Sequence, residues 1–243
     1  MIRATPSWWG RHILRPFFEW HLRRHFHAAY FWGWESWKRI ADDEPILAYA
    51  NHSSWWDAIV LIHLIPFFKP RQSYCMMERL EDYPFFRHLG AYSVSLSRPV
   101  EAAVSLRYTS RLIGSRHALV WIFPQGRILP PHSSFEVREG FRWLIRRHPH
   151  AALLPLGLRY GFAEHERPII AGAFGEPLRG EDRERLCVER LEQLLRMLDQ
   201  RVGVWDWSGA RVTLRPGLSL HERWDRWRGR LFFWSGRQSR AEK

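Results

Sequence analysis

Ile46-Leu47-Ala48-Tyr49-Ala50-Asn51-His52-Ser53-Ser54-Trp55-Trp56-Asp57 decides how this chain is read. Five apolar residues without alternation predict a strand buried on both faces, the pattern of a parallel sheet. Apolar positions over Ser54 to Ile65 predict a helix directly after it. His52 then leaves the end of a strand, and Asp57 sits in the first turn of a helix. A sharp turn between them brings imidazole and carboxylate within hydrogen-bond reach. A carboxylate on one ring nitrogen fixes the tautomer and stabilises the imidazolium, leaving the other nitrogen to take a proton. A plainer reading fits the same residues. Ser54-Trp55-Trp56-Asp57 has the S/T-x-x-D/E form of a helix N-terminal box, and His52 is one of thirteen histidines.

The alternation continues outward. Ser73–Met77, Tyr92–Leu96, Ala118–Phe123, Ala151–Arg159 and Pro168–Phe174 read as strands. Leu80–Leu89, Val100–Ile113, Phe141–Arg147 and Arg183–Gln200 read as helices, with Gly114 as a helix stop and residues 124–140 as a loop. Strands separated by helices predict an α/β fold: a mostly parallel central sheet flanked by helices, with an N-terminal aromatic-basic helical segment. Leu154-Pro155-Leu156-Gly157 places a proline inside an apolar run, which points to an edge or a bulge. Three regions follow: residues 1–44, a core of 45–204 and a Trp/Arg-rich tail of 205–243 that includes Trp224, Trp227 and Trp234.

Composition narrows the partners. Lys and Arg total 37 against 25 acids, a net charge of +12, so the field attracts something anionic. In residues 1–40, Trp8, Trp9, Phe17, Trp20 and other aromatics interleave with Arg11, Arg15, Arg23 and Arg24. Leu14, Phe18, Leu22 and Phe26 recur every four residues, so this segment either packs on the core or lies in a lipid interface. Nucleic acid is the less expected partner, since no known binding module is recognisable. Cys75 and Cys187 make neither a disulfide framework nor a metal site and read as buried thiols, and no ligand cluster for a metal is seen. No signal-peptide pattern and no run of about 18 apolar residues is present, so a peripheral position on the cytoplasmic side of a membrane is expected.

Two further elements end strands. Phe123-Pro124-Gln125-Gly126-Arg127 is a tight turn offering amides and a guanidinium to an anion, and Ser95-Leu96-Ser97-Arg98 offers a second guanidinium. In this order, these elements resemble the glycerolipid acyltransferase family, the bacterial lysophosphatidate-type enzymes. Its members carry N-H-x4-D, an arginine-ending motif, F-P-E-G-T-R-S and a proline-bearing apolar strand. Asn51, His52 and Asp57 match the first, and Gly90 to Arg98 the second loosely, with Ser97 where an acid is usual. Phe123, Pro124 and Gly126 match the third, with Gln125 for glutamate and Arg127 for threonine, and Pro155 matches the fourth.

The resemblance covers roughly residues 45–160. It implies an O-acyltransferase with no resident cofactor, using acyl-CoA or an acyl carrier protein as donor and a lysophospholipid-type acceptor. His52 would be the general base and Asp57 its orienting partner. Asn51, Arg98, Gln125, Gly126 and Arg127 would bind substrate, and amides near Gly126 would hold the oxyanion. The missing acids leave open a glycolipid or glycosylated isoprenoid acceptor. The rival outside catalysis is a silent module that binds anionic membranes.

Overall fold

The computed structural model describes residues 1–68, 70–95, 97–215 and 217–228. Leu96 and Trp234 therefore lie outside the described residues. A π-helical turn, Gly10–Leu14, leads into α1 (Arg15–His25), then β1 (Ala29–Trp32), α2 (Trp34–Lys38), β2 (Ile46–Ala50) and α3 (Trp56–Leu64). There follow β3 (Gln72–Glu78), β4 (Ala91–Val94), α4 (Pro99–Ile113), β5 (Ala118–Ile122) and α5 (Glu139–Arg147). The chain continues through β6 (Ala152–Gly161), β7 (Ile169–Phe174), α6 (Arg183–Gly203) and β8 (Arg211–Leu214).

The strands form one eight-stranded sheet in the order β4-β3-β5-β2-β6-β7-β1-β8. The five strands from β4 to β6 are mutually parallel. The link from β6 to β7 carries no helix, and that pair is antiparallel, as is β1 with β8. The fold is thus the expected α/β one with a mostly parallel sheet.

β2 shows why its sequence is apolar throughout. Ile46, Ala48 and Ala50 face a core shared with Leu22 of α1 and Ile59 and Val60 of α3. Leu47 and Tyr49 face the opposite core, with Leu144 of α5 and Cys187 and Leu191 of α6. Period-two alternation is present, but both faces are covered. Tyr49 buries its ring and donates its hydroxyl to the Cys187 carbonyl at 2.9 Å.

Several expectations are corrected. The segment 1–44 is not purely helical, because Ala29–Trp32 joins the sheet beside β7. The tail likewise supplies β8. Helix α3 starts at Trp56, since the two serines before it present their amides to Asp57. No α-helix spans residues 80–89; Arg79 takes a left-handed φ of 57° and Pro84–Leu89 forms a 3₁₀ turn. Pro155 is in an interior strand and not at an edge, although the antiparallel register beside it shifts by one residue between Leu153–Leu178 and Leu156–Phe174, as the bulge alternative expects. Leu153 bonds to Leu178 on the β7 side, and the β7 ladder starts only at Leu156, so the donor that proline lacks falls in the gap. Cys187 is buried, whereas Cys75 is only half-buried in a cavity wall, and both thiols are free.

Candidate active site

The parallel strands β2, β3 and β5 end at one edge of the sheet, where open α/β folds carry their sites. Two turns meet there. After β2, the chain passes through His52 and turns into α3. Asp57 is fully buried, and its Oδ2 accepts from the amides of Ser53 (2.8 Å) and Ser54 (2.9 Å). The same oxygen lies 2.8 Å from His52 Nδ1. One carboxylate therefore makes both sets of contacts, to the serine amides before the helix and to the imidazole. His52 Nδ1 bears the proton in this pairing, since the carboxylate can only accept.

The second turn follows β5. Gly126 donates its amide to the Phe123 carbonyl at 3.0 Å and has a φ of 69°, the left-handed region that favours glycine. Gln125 is buried, and its Oε1 accepts the His52 amide at 2.8 Å. Leu129 donates its amide to the His52 carbonyl at 2.9 Å. The Phe123 ring stacks on the His52 imidazole, 4.2 Å between centroids. Glutamine in place of an acid still accepts an amide here, so this clamp survives the loss of charge.

His52 borders a cavity of about 770 Å³. Its walls are largely apolar: Ile59 and Ile62 from α3, Met77 from β3, Leu106 from α4, Leu144 from α5. Arg79, Arg127 and Arg138 supply positive charge to its lining. With Nδ1 engaged by Asp57, His52 Nε2 is the ring nitrogen left to meet a substrate, and it makes no hydrogen bond among the described residues.

The predicted residues thus separate. His52, Gly126 and Arg127 line the cavity. Asn51 does not: its amide nitrogen donates to the Leu158 carbonyl at 3.0 Å, and its oxygen accepts the Leu158 amide at 2.8 Å. It acts as a strand partner that fixes the His52 turn on β6. Gln125 is the clamp just described. Arg98 is exposed, pairs with Glu101 at 2.6 Å and does not line the cavity. The Gly126 amide is spent on its own turn, so it is not a free oxyanion donor.

Three residues escaped the sequence reading. Arg79 and Arg138 reach the cavity from the end of β3 and the start of α5. Tyr160 donates its hydroxyl to Asp57 Oδ1 at 2.6 Å across 103 residues of chain. No local signal marks it.

The His52–Asp57 pair thus sits beside a largely apolar cavity at the edge where the parallel strands end. A protein-family model described as Acyltransferase matches residues 34–159, more than half of the chain, and the chain belongs to that glycerolipid acyltransferase family. It is an acyltransferase. A search of curated proteins gave no match.

Proposed function

We propose that the protein transfers a fatty acyl group from an acyl thioester, on CoA or an acyl carrier protein, to a hydroxyl of a lysophospholipid-type acceptor. The observation that carries this reading is His52, held by Asp57 through Nδ1 while its ring borders the apolar cavity. In the reaction, His52 Nε2 removes the acceptor's hydroxyl proton as the oxygen attacks the thioester carbonyl. The carbon–sulfur bond breaks on collapse of the tetrahedral intermediate, and the thiolate leaves with the proton from the imidazolium. Asp57 stabilises that imidazolium. The Arg127 amide, which makes no hydrogen bond among the described residues, is the amide beside the turn assigned to the oxyanion.

Arg127 and Arg138 are assigned to the acceptor's anionic group. Arg127→Ala is expected to raise the acceptor KM about tenfold with little change in donor KM, the loss of one charge-assisted hydrogen bond. Equal effects on both substrates would contradict the assignment. A second reading keeps the chemistry and changes the acceptor to a glycolipid or a glycosylated isoprenoid. It is favoured by Arg98, which is turned to Glu101 and away from the cavity. The deciding experiment is transfer from labelled acyl-CoA and acyl carrier protein to lysophosphatidate, glycerol 3-phosphate, other lysophospholipids and a glycolipid extract. One labelled product names the acceptor. No product from any combination would leave the silent membrane-binding module.

Lipid substrates are assigned to an anionic membrane surface reached peripherally from the cytoplasmic side. Among the described residues no helix is long and apolar enough to cross a membrane. Helix α1 buries Phe18 and Leu22 against the core and exposes Phe17 and Trp20, beside exposed Arg23 and Arg24. Both sequence alternatives for this segment therefore find support on opposite sides of one helix. Phosphatidylglycerol vesicles are expected to retain the protein in sedimentation and to release it as salt rises, while phosphatidylcholine vesicles retain little. Equal retention by both would remove the electrostatic part of this assignment.

A further inference from the structure

We propose that Tyr160 is a positioning residue: its hydroxyl, donating to Oδ1 of Asp57, sets how strongly that carboxylate holds His52. The proposal rests on the reading of His52 as general base. Asp57 divides its two oxygens unequally. Oδ2 accepts three donors, the amides of Ser53 and Ser54 and His52 Nδ1. Oδ1 has Tyr160 as its one partner among the described residues, at 2.6 Å. That length is typical of a hydroxyl donating to an ionised oxygen.

Strand geometry explains why β6 supplies the donor. Successive side chains alternate faces. Arg159 turns to α6 and pairs with Asp199 at 2.6 Å, while Tyr160 turns to the site and packs its ring near Phe26. Two residues earlier, Leu158 receives Asn51 through both polar atoms of its backbone. The end of β6 therefore grips the His52 turn twice, once at Asn51 and once at Asp57. Burial, and then the charge of Asp57, push the Tyr160 phenol well above its ordinary value, so it stays a proton donor.

A donor on Oδ1 draws charge from the carboxylate and weakens its pull on the imidazolium. Other ionisable groups near this corner are His21 and His25 of α1, which pack on Trp56, and Arg127 and Arg138 beside the cavity. None of these hydrogen-bonds to the His52 or Asp57 side chain among the described residues. Tyr160 is the partner whose removal acts through Asp57 alone.

The test compares Tyr160→Phe with 3,5-difluorotyrosine at position 160, a stronger donor of nearly the same size. The readouts are kcat against pH and the imidazole titration of His52 by NMR. Tyr160→Phe leaves Asp57 Oδ1 without this donor, so the carboxylate should hold the imidazolium more strongly. The substitution should move the acid limb and the His52 midpoint up by about half to one pH unit. The fluorinated protein should move both down. A purely structural hydroxyl predicts no displacement in either protein, and that result, or displacement in the same direction in both, would overturn the proposal. If Tyr160→Phe does not fold, the fluorinated protein decides by its sign. If the wild type acylates no acceptor, the reading of the reaction has failed, and the His52 titration still decides the role of Tyr160.

Discussion

His52→Ala is expected to lose about 10²–10⁴-fold in kcat, the range that general base catalysis contributes. Donor and acceptor KM should change little, because the rest of the cavity wall and the nearby arginines are untouched. The fold should survive. The backbone bonds of residue 52, to Gln125 and from Leu129, do not depend on its side chain. Asp57 would keep the two serine amides and Tyr160, so no buried charge is left bare. What is lost is the imidazole and its stack on Phe123. Single-turnover measurement of labelled acyl transfer, with a thermal melt alongside, separates the two effects. Turnover within about threefold of wild type would place the base elsewhere.

Asp57 divides into two losses that two substitutions separate. Asp57→Asn keeps an oxygen for the serine amides and His52, and its amide group can donate to the Tyr160 hydroxyl. The fold should hold, while kcat falls about 10²–10³-fold, because a neutral amide does not stabilise the imidazolium. Asp57→Ala removes the acceptor altogether. The Ser53 and Ser54 amides and the Tyr160 hydroxyl then lack this partner, and the turn that leads into α3 loses its anchor. The expected cost is about 2–4 kcal/mol of stability in addition to the loss of rate. Denaturant melts of the two variants read this difference directly. Equal stability of Asn and Ala at this position would mean that Asp57 does not hold the helix start.

Periodic segments were legible without a structure. β2, α4 and α6 appear within a few residues of where apolar spacing puts them, because each buries its apolar positions against neighbours of the same domain. β1 was missed. Its partner β7 lies about 140 residues away, and Ala29-Tyr30-Phe31-Trp32 sits within an aromatic-rich stretch where a helix stripe dominates the pattern. β8 is four residues long and largely exposed, too short to show a period. Pro155 misled only as to an edge: a proline lacks one donor, and only the pairing shows that the register shifts there and no acceptor waits opposite it.

The same division runs through the site. The sequence by itself determined the His52–Asp57 pair. The two residues are five apart, and a buried strand followed by an apolar helix leaves one compact turn between them, so their meeting is a local matter. It also determined the Gly126 turn, since a backbone that needs a left-handed φ selects its residue directly. The tertiary structure alone decided the roles around that pair. Asn51 and Gln125 look like substrate ligands in one dimension and are backbone clamps in three, because their acceptors and donors come from Leu158 and His52. Arg98 looks like a cavity cation and is paired outside it, whereas Arg79 and Arg138 reach it. Tyr160 reaches Asp57 only because the parallel pairing of β2 with β6 lays the end of one strand beside the turn that follows the other.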